Sequence, residues 1–241
     1  EALVTLDLSR QGVQDQEAEK VAEYLEQEDC KVAVLDLSHN EIGDAGAERL
    51  TKALLKNTTV TDILLSSNDL KDASAEHFAA LLGQNNRLRS LVLNGNYISG
   101  TGTEKLAAAL HSNTALQTLG LAFNRVGIHG AEELAKALEK NTTLTSLDLN
   151  NNRIFVTGVQ RLLSATRAGS GLRSLDVTGS ELLDGGAEQI AAALGENTSV
   201  TALDLSGNRI KAKGAEFIGA ALKNNATITT FVMKTNDIGP E

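Results

Sequence analysis

The chain has 241 residues, of which 41% are hydrophobic but only 3% aromatic, with no Trp and a single Pro, so its core must be aliphatic and built from many small equivalent packing sites. Thirty-one acids against 22 bases give a net charge of −9, which argues against a nucleic-acid backbone or an anionic membrane as the main partner. The single cysteine, Cys30, excludes an intrachain disulfide framework and a multi-cysteine metal site and fits a reducing, cytoplasmic compartment, and no stretch approaches the roughly 20 apolar residues of a membrane helix.

In chain order, a predicted strand begins near residue 3 and an acidic helix follows over roughly residues 15 to 28. The string Val32-x-x-Leu35-x-Leu37-x-x-Asn40-x-Ile42 then returns at a fixed step. Predicted strands start near 3, 32, 60, 88, 116, 144, 172, 200 and 228, the first interval being 29 residues and the others 28. Within each unit two periods alternate: Leu35-x-Leu37 sends both side chains to one face of a strand, whereas Ala47, Leu50 and Leu54 keep helical spacing. Neither half can bury its apolar face alone, so the units must stack, strands forming a parallel sheet and helices packing outside it. The last strand, over 228–233, has no helix after it. The array is read as one domain, 1–241, expected to be a fragment of a longer chain.

Two asparagine columns punctuate the repeat. Asn57, Asn85, Asn113, Asn141, Asn197 and Asn225 precede a strand by three residues, with Gly169 in the same column. Asn and Gly share a tolerance for left-handed backbone, so these positions are expected to be helix stops with positive φ. Asn57, Asn141, Asn197 and Asn225 also open Asn-x-Ser/Thr sequons, which the repeat itself explains. The second column, Asn40, Asn68, Asn96, Asn124, Asn152, Asn208 and Asn236, has Gln11 and Ser180 as substitutes. Its amides are expected to satisfy backbone groups in the bend leaving each strand, forming a ladder along the stack.

With these motifs the whole chain resembles a leucine-rich repeat protein of the ribonuclease-inhibitor-like subfamily. The pattern LxxLxLxxNxI followed by Gly-Ala and an LxxAL helix, as in Leu116 to Leu138, is similar to the 28-residue units of NOD-like receptors, Ran GTPase-activating proteins and ribonuclease inhibitor. The resemblance implies an α/β horseshoe solenoid with a parallel sheet on the concave side and helices on the convex side. The chain departs from ribonuclease inhibitor, which is similar but alternates two repeat types with many cysteines.

No catalytic constellation stands out. His39, His77, His111 and His129 fall at three different places of the repeat without metal-ligand spacing, and no Ser or Thr is marked by a neighbouring His and carboxylate. Glycine pairs such as Gly43 and Gly46 belong to the repeat turn rather than to a phosphate loop. No catalytic residue, metal, cofactor or small-molecule substrate is expected.

The informative positions are therefore those the repeat leaves free. The strand column facing the concave surface reads Asp7, Asp36, Leu64, Val92, Gly120, Asp148, Asp176, Asp204, Val232. Asp148, Asp176 and Asp204 form an acidic lane, either ordinary for such units or a track for a basic protein surface. Leu64, Val92, Ala122 and Phe123 are expected to place apolar side chains on that concave face. After the ladder Asn, Tyr97, Arg125 and Arg153 stand on successive loops, with Phe155 and Val156 beyond; Tyr and Arg are the residue types enriched at binding hot spots. A non-catalytic protein-recognition scaffold is the function expected, as in the ligand-sensing or autoinhibitory region of an intracellular receptor or effector. The alternatives are a GTPase regulator similar to Ran GTPase-activating proteins, and a structural or consensus-like array.

Overall fold

A computed structural model describes residues 4–166 and 169–239; the predicted strand start at Leu3 lies outside them. The strands β1 (Val4–Asp7), β2 (Val32–Asp36), β3 (Asp62–Leu64), β4 (Ser90–Val92), β5 (Thr118–Gly120), β6 (Ser146–Asp148), β7 (Ser174–Asp176), β8 (Ala202–Asp204) and β9 (Thr230–Val232) form one parallel sheet in sequence order. Between them run α1 (Asp15–Leu25), α2 (Asp44–Lys56), α3 (Asp72–Leu82), α4 (Gly100–Leu110), α5 (Gly127–Leu138), α6 (Phe155–Ala165), α7 (Leu183–Glu196) and α8 (Ala212–Asn224). This is the α/β leucine-rich repeat solenoid, with the sheet on one face and the helices stacked neighbour on neighbour on the other.

Register follows the repeat. Leu91 pairs with Leu119 and Leu119 with Leu147, each partner one unit away. The longer first interval is absorbed by a register shift between Val4 and Thr5. Alternation puts Leu35 and Leu37, and in the next unit Ile63 and Leu65, wholly inside, where helix residues Leu50, Phe78, Leu106 and Leu134 join the same core. Each fully buried aliphatic side chain contributes roughly 1.5–3 kcal/mol, so stability is spread along the stack rather than concentrated in a centre. In α2, α5, α7 and α8 a Gly before Ala lets the helix approach its neighbour: a Cβ on Gly130 would lie 2.7 Å from Val126 Cγ1 and 3.0 Å from Thr103 Cβ.

The second asparagine column forms the expected ladder. Asn124 Nδ2 donates to the carbonyls of Leu121 in its own unit (3.0 Å) and Leu93 in the preceding one (2.8 Å), while its Oδ1 accepts the Ile98 N–H (2.9 Å). Asn68, Asn96 and Asn208 repeat the pattern of bonds to their own and the preceding strand.

The first column is corrected. Asn57, Asn197 and Asn225 are extended, with φ of −67, −69 and −91, and Asn141 is not among the residues of positive φ; Gly169 alone in the column is, at φ 108. The asparagines act through side chains. Asn141 Nδ2 donates to the Leu110 carbonyl of the preceding helix (2.7 Å), and its Oδ1 accepts from Thr143 and Leu144 N–H (3.0 and 2.7 Å). An Asn here is a second ladder and not a left-handed stop, so it and Gly169 share a column for different reasons. Asn57, Asn141 and Asn197 are buried with their amides bonded, which leaves no free nitrogen for a glycan. Cys30 is a buried free thiol beside Asn57.

Candidate functional site

The residue just before each ladder Asn is the position that every unit holds left-handed: Arg10, His39, Ser67, Gly95, Phe123, Asn151, Gly179, Gly207 and Thr235 all have φ between 52 and 66. That conformation turns the N–H toward the next unit, as Phe123 N donates to the Asn150 carbonyl (2.7 Å). A phenylalanine in this region is costly, of the order of 1 kcal/mol or more. Phe123 is consequently thrown outward and is 59% exposed. The expectation that Ala122 and Phe123 lie on the concave face is therefore corrected: Ala122 is buried and Phe123 stands on the exit loop, while Leu64 and Val92 end β3 and β4, half-buried on the sheet.

A second left-handed position occurs only in part of the array. Where a helix begins at Gly43, Lys71, Ser99 or Lys211 the backbone is extended, and the preceding unit's aspartate captures its N–H: Asp15 takes Gly43 (2.7 Å), Asp44 Lys71 (3.1 Å), Asp72 Ser99 (2.7 Å) and Asp184 Lys211 (2.7 Å). In three consecutive units that aspartate is replaced by Gly100, Ile128 and Val156. The helix starts that follow, Gly127, Phe155 and Leu183, flip to φ of 61, 53 and 56. Deprived of the carboxylate, Gly127 and Leu183 N–H turn instead to the carbonyls of Asn152 and Asn208, both at 3.0 Å. The flip leaves Phe155 37%, Leu183 52% and Ile128 38% exposed.

These two devices converge. Phe123, Arg125, Ile128, Arg153 and Phe155, with Asn124, Gly127, Asn151 and Asn152, line a cleft of about 820 Å³ where strands leave the sheet in units five and six. An adjoining cleft of about 500 Å³ is lined by Lys71, Asp72, Ala73, Tyr97, Ser99 and Arg125. Arg125 belongs to both and lies over the Tyr97 ring, 5.1 Å from its centroid, a cation–π contact that holds the guanidinium between them. The structure thus gathers Tyr97, Phe123, Arg125, Arg153 and Phe155, and leaves Leu64, Val92, Asp148, Asp176 and Asp204 on the neighbouring sheet face. Sequence reasoning misses Ile128 and Leu183. Their signal is the loss of aspartate from one column, visible only once that column is known to cap the next unit.

The acidic lane has structural work. Asp148 is in register with Asp176 and Asp176 with Asp204, and each Oδ1 accepts the N–H two residues on, from Asn150 (3.0 Å), Thr178 (2.9 Å) and Ser206 (2.8 Å). Burial, helped by the Asp176 charge, raises the Asp148 pKa from its ordinary value, against the opposing bonds from Asn150 and Asn94. A carboxyl that holds its proton more tightly when folded contributes stability that is fully present below the ordinary carboxylate pKa and lost as pH rises through the raised value. Asp148→Asn keeps an acceptor for Asn150 and is expected to be about 0.5 kcal/mol more stable than the parent at pH 7, the difference vanishing near pH 3. Urea titrations at the two pH values that give the same difference at both would refute this.

Among the described residues no three His, Cys, Asp or Glu side chains are grouped to hold a metal, and no helix is long and apolar enough to cross a membrane. His129 instead meets Glu104 on the helix side, 3.1 Å away and exposed.

Compared with known proteins, the TMOD/LMOD leucine-rich domain matches residues 14–141, and a leucine-rich repeat family matches residues 140–163 and 196–219. A solved structure of leiomodin-1 actin-binding site 2 is 29% identical, with a TM-score of 0.50 over 55% of this chain and 76% of that one. The tropomodulin C-terminal domain of Caenorhabditis elegans is 14% identical, with a TM-score of 0.51 over 61% of this chain and 90% of that one. An internalin, inlF, of Listeria monocytogenes is 20% identical, with a TM-score of 0.54 over 94% of this chain and 52% of that one. For the tropomodulin domain and the internalin the likeness is one of fold alone. No curated protein matches the chain. The first match runs unbroken through α1 to α5 and covers more than half of the sequence, and the chain therefore belongs to the TMOD/LMOD leucine-rich domain family.

Proposed function

We propose that the array, residues 1–241 acting as one domain, is a non-catalytic protein-recognition scaffold that grips its partner on the strand-exit rim of units four to six. The observation that carries this is the convergence of exposed Tyr97, Phe123, Ile128 and Phe155 with Arg125 and Arg153 around two adjoining clefts. Aromatic and Arg anchors in partly enclosed sites supply most of the energy of protein interfaces. Leu64, Val92, Asp148, Asp176 and Asp204 flank the rim, and the aspartates are assigned to steering a basic part of the partner surface, which acts on association rate more than on affinity. Leiomodin-1 actin-binding site 2, at 29% identity, makes actin the first partner to test.

Finer assignments rest on repeat type. The single 28-residue unit supports a ribonuclease-inhibitor-like subfamily and, with it, either the ligand-sensing region of an intracellular receptor or a regulator of Ran-type GTPases; the lone buried thiol Cys30 suits an intracellular setting. Stimulated GTP hydrolysis by small GTPases would favour the regulator over the scaffold.

Titration with monomeric and filamentous actin, and with partners crosslinked in native extracts, is expected to show losses of tenfold or more for Tyr97→Ala, Phe123→Ala and Phe155→Ala. Asp176→Asn is expected to alter mainly the salt dependence, and Glu132→Ala on α5 to change nothing. Equal losses in all five variants, or a loss confined to Glu132→Ala, would remove the rim as the site.

A further inference from the structure

We propose that the rim cleft receives an acidic amphipathic helix of the partner protein. This rests on the rim being the recognition site, and three observations specify what fits it.

The first is charge. The chain carries 31 acids against 22 bases, yet the residues lining the larger cleft include Arg125 and Arg153 and no Asp or Glu. Among the described residues neither arginine has a carboxylate within ion-pair distance, so both line the cleft without a charge partner of their own. Two guanidiniums lining a cleft that has no carboxylate of its own match carboxylates, which they bind bidentately.

The second is the backbone around the cleft. Phe123 N–H donates to Asn150 O, Arg125 N–H to Ile98 O, Gly127 N–H to Asn152 O and Asn151 N–H to Thr178 O. The N–H groups of Arg153 and Phe155 meet no acceptor among the described residues, but two donors on one loop are too few for an extended peptide to join by strand addition. A segment lying here must satisfy most of its main chain by itself, which favours a helix.

The third is spacing. Phe123 and Phe155 stand on adjacent units, and adjacent strands are about 4.8 Å apart. One helical turn rises about 5.4 Å. A helix laid along the array therefore presents apolar side chains at i, i+4 and i+7 to successive units, with carboxylates on its flanks facing Arg125 and Arg153.

The probe is an 18-residue acetylated peptide with Leu at i, i+4, i+7 and i+11 and Glu at flanking positions, compared with a twin having Lys for each Glu and a twin of the Glu peptide interrupted by a central Pro. Fluorescence anisotropy is read on the full chain at several salt concentrations. The Glu peptide is expected to bind at least tenfold more tightly than either twin, more weakly as salt rises, and Arg125→Glu with Arg153→Glu is expected to reverse the preference between the Glu and Lys peptides. Lys or Pro twins binding as well as the Glu peptide, or no binding of the Glu peptide up to about 1 mM, which corresponds to about −4 kcal/mol, would overturn it. If Phe123→Ala and Phe155→Ala still lose the protein partner while the peptide preference fails, the helix chemistry is wrong and the rim reading stands. If those variants keep the partner, the rim reading itself has failed.

Discussion

Replacing Asn124 with alanine is expected to lower the stability of the array by about 2 kcal/mol, since it strands the buried Ile98 N–H at about 1–3 kcal/mol and removes one of two side-chain donors from the Leu93 and Leu121 carbonyls, which Asn96 and Asn152 still meet. Ile98 N–H is met by this amide alone, at 2.9 Å, and Asn124 is only 8% exposed although it borders the cleft. The loss is expected to appear as a lowered urea midpoint with the slope unchanged, while binding per folded molecule stays near that of the parent. A variant of unchanged stability and lost binding would place Asn124 in the interface rather than beneath it. Asp in its place would be a harsher probe, because a carboxylate cannot donate to Leu93 O.

Ile128→Asp is expected to make the protein more stable and less able to bind. The new carboxylate would sit where Asp184 stands, one residue after a left-handed helix start and still within reach of the next unit, since Asp184 captures both Lys211 N–H (2.7 Å) and Gly214 N–H (3.1 Å). The equivalent donors for position 128 are Phe155 and Gly158. Capping them should return Phe155 to extended backbone, relieving strain of the order of 1 kcal/mol and adding a cap bond of about 1 kcal/mol, and swing the ring out of the cleft. Val156→Asp should do the same to Leu183, which lies outside the cleft lining, and so should stabilise without weakening binding. Ile128→Ala separates removal of the isoleucine side chain from arrival of the carboxylate. Thermal melts and partner titrations on all three variants decide it: Ile128→Asp no more stable than Ile128→Ala would show that the carboxylate does not govern the flip.

The repeat makes the fold legible. Leu35, Leu37 and Asn40 recur so regularly that strands, helices and the exit ladder follow from periodicity and from the need of an amide to meet buried backbone. The Asn57 column misleads because two residue types that tolerate the same φ invite a single cause; Asn141 uses its amide where Gly169 uses its missing Cβ. Of the site, the residue types Tyr97, Arg125, Arg153 and Phe155 are legible, since the repeat dictates none of them. Their orientation is not. Phe123 points outward because its column is left-handed in every unit, including those with Arg10, His39 or Ser67, which carry no glycine to announce it. The exposure of Ile128 and Leu183 depends on an aspartate absent from the preceding unit, an effect carried between units and so invisible within any one of them.

Unit seven departs from its neighbours in both amide columns at once. Ser180 Oγ donates only to Val177 O in its own unit (2.8 Å), and Asn197 turns its Nδ2 to Val200 O (2.9 Å), meeting the preceding unit through the Thr166 hydroxyl that donates to its Oδ1 (3.1 Å), while Gly169 has no side chain to contribute. In a structure whose cooperativity passes only between adjacent repeats, a junction that lacks the amide cross-links of its neighbours and keeps only hydroxyl ones at Thr166 and Ser199 transmits the folded state less faithfully. The solenoid should then behave as two foldons in one continuous sheet, a longer one through unit six and a shorter one beyond it. Native-state hydrogen exchange is expected to show two tiers of protection dividing near Ser170; a single tier across β5 to β8 would mean that the aliphatic core alone couples the whole array.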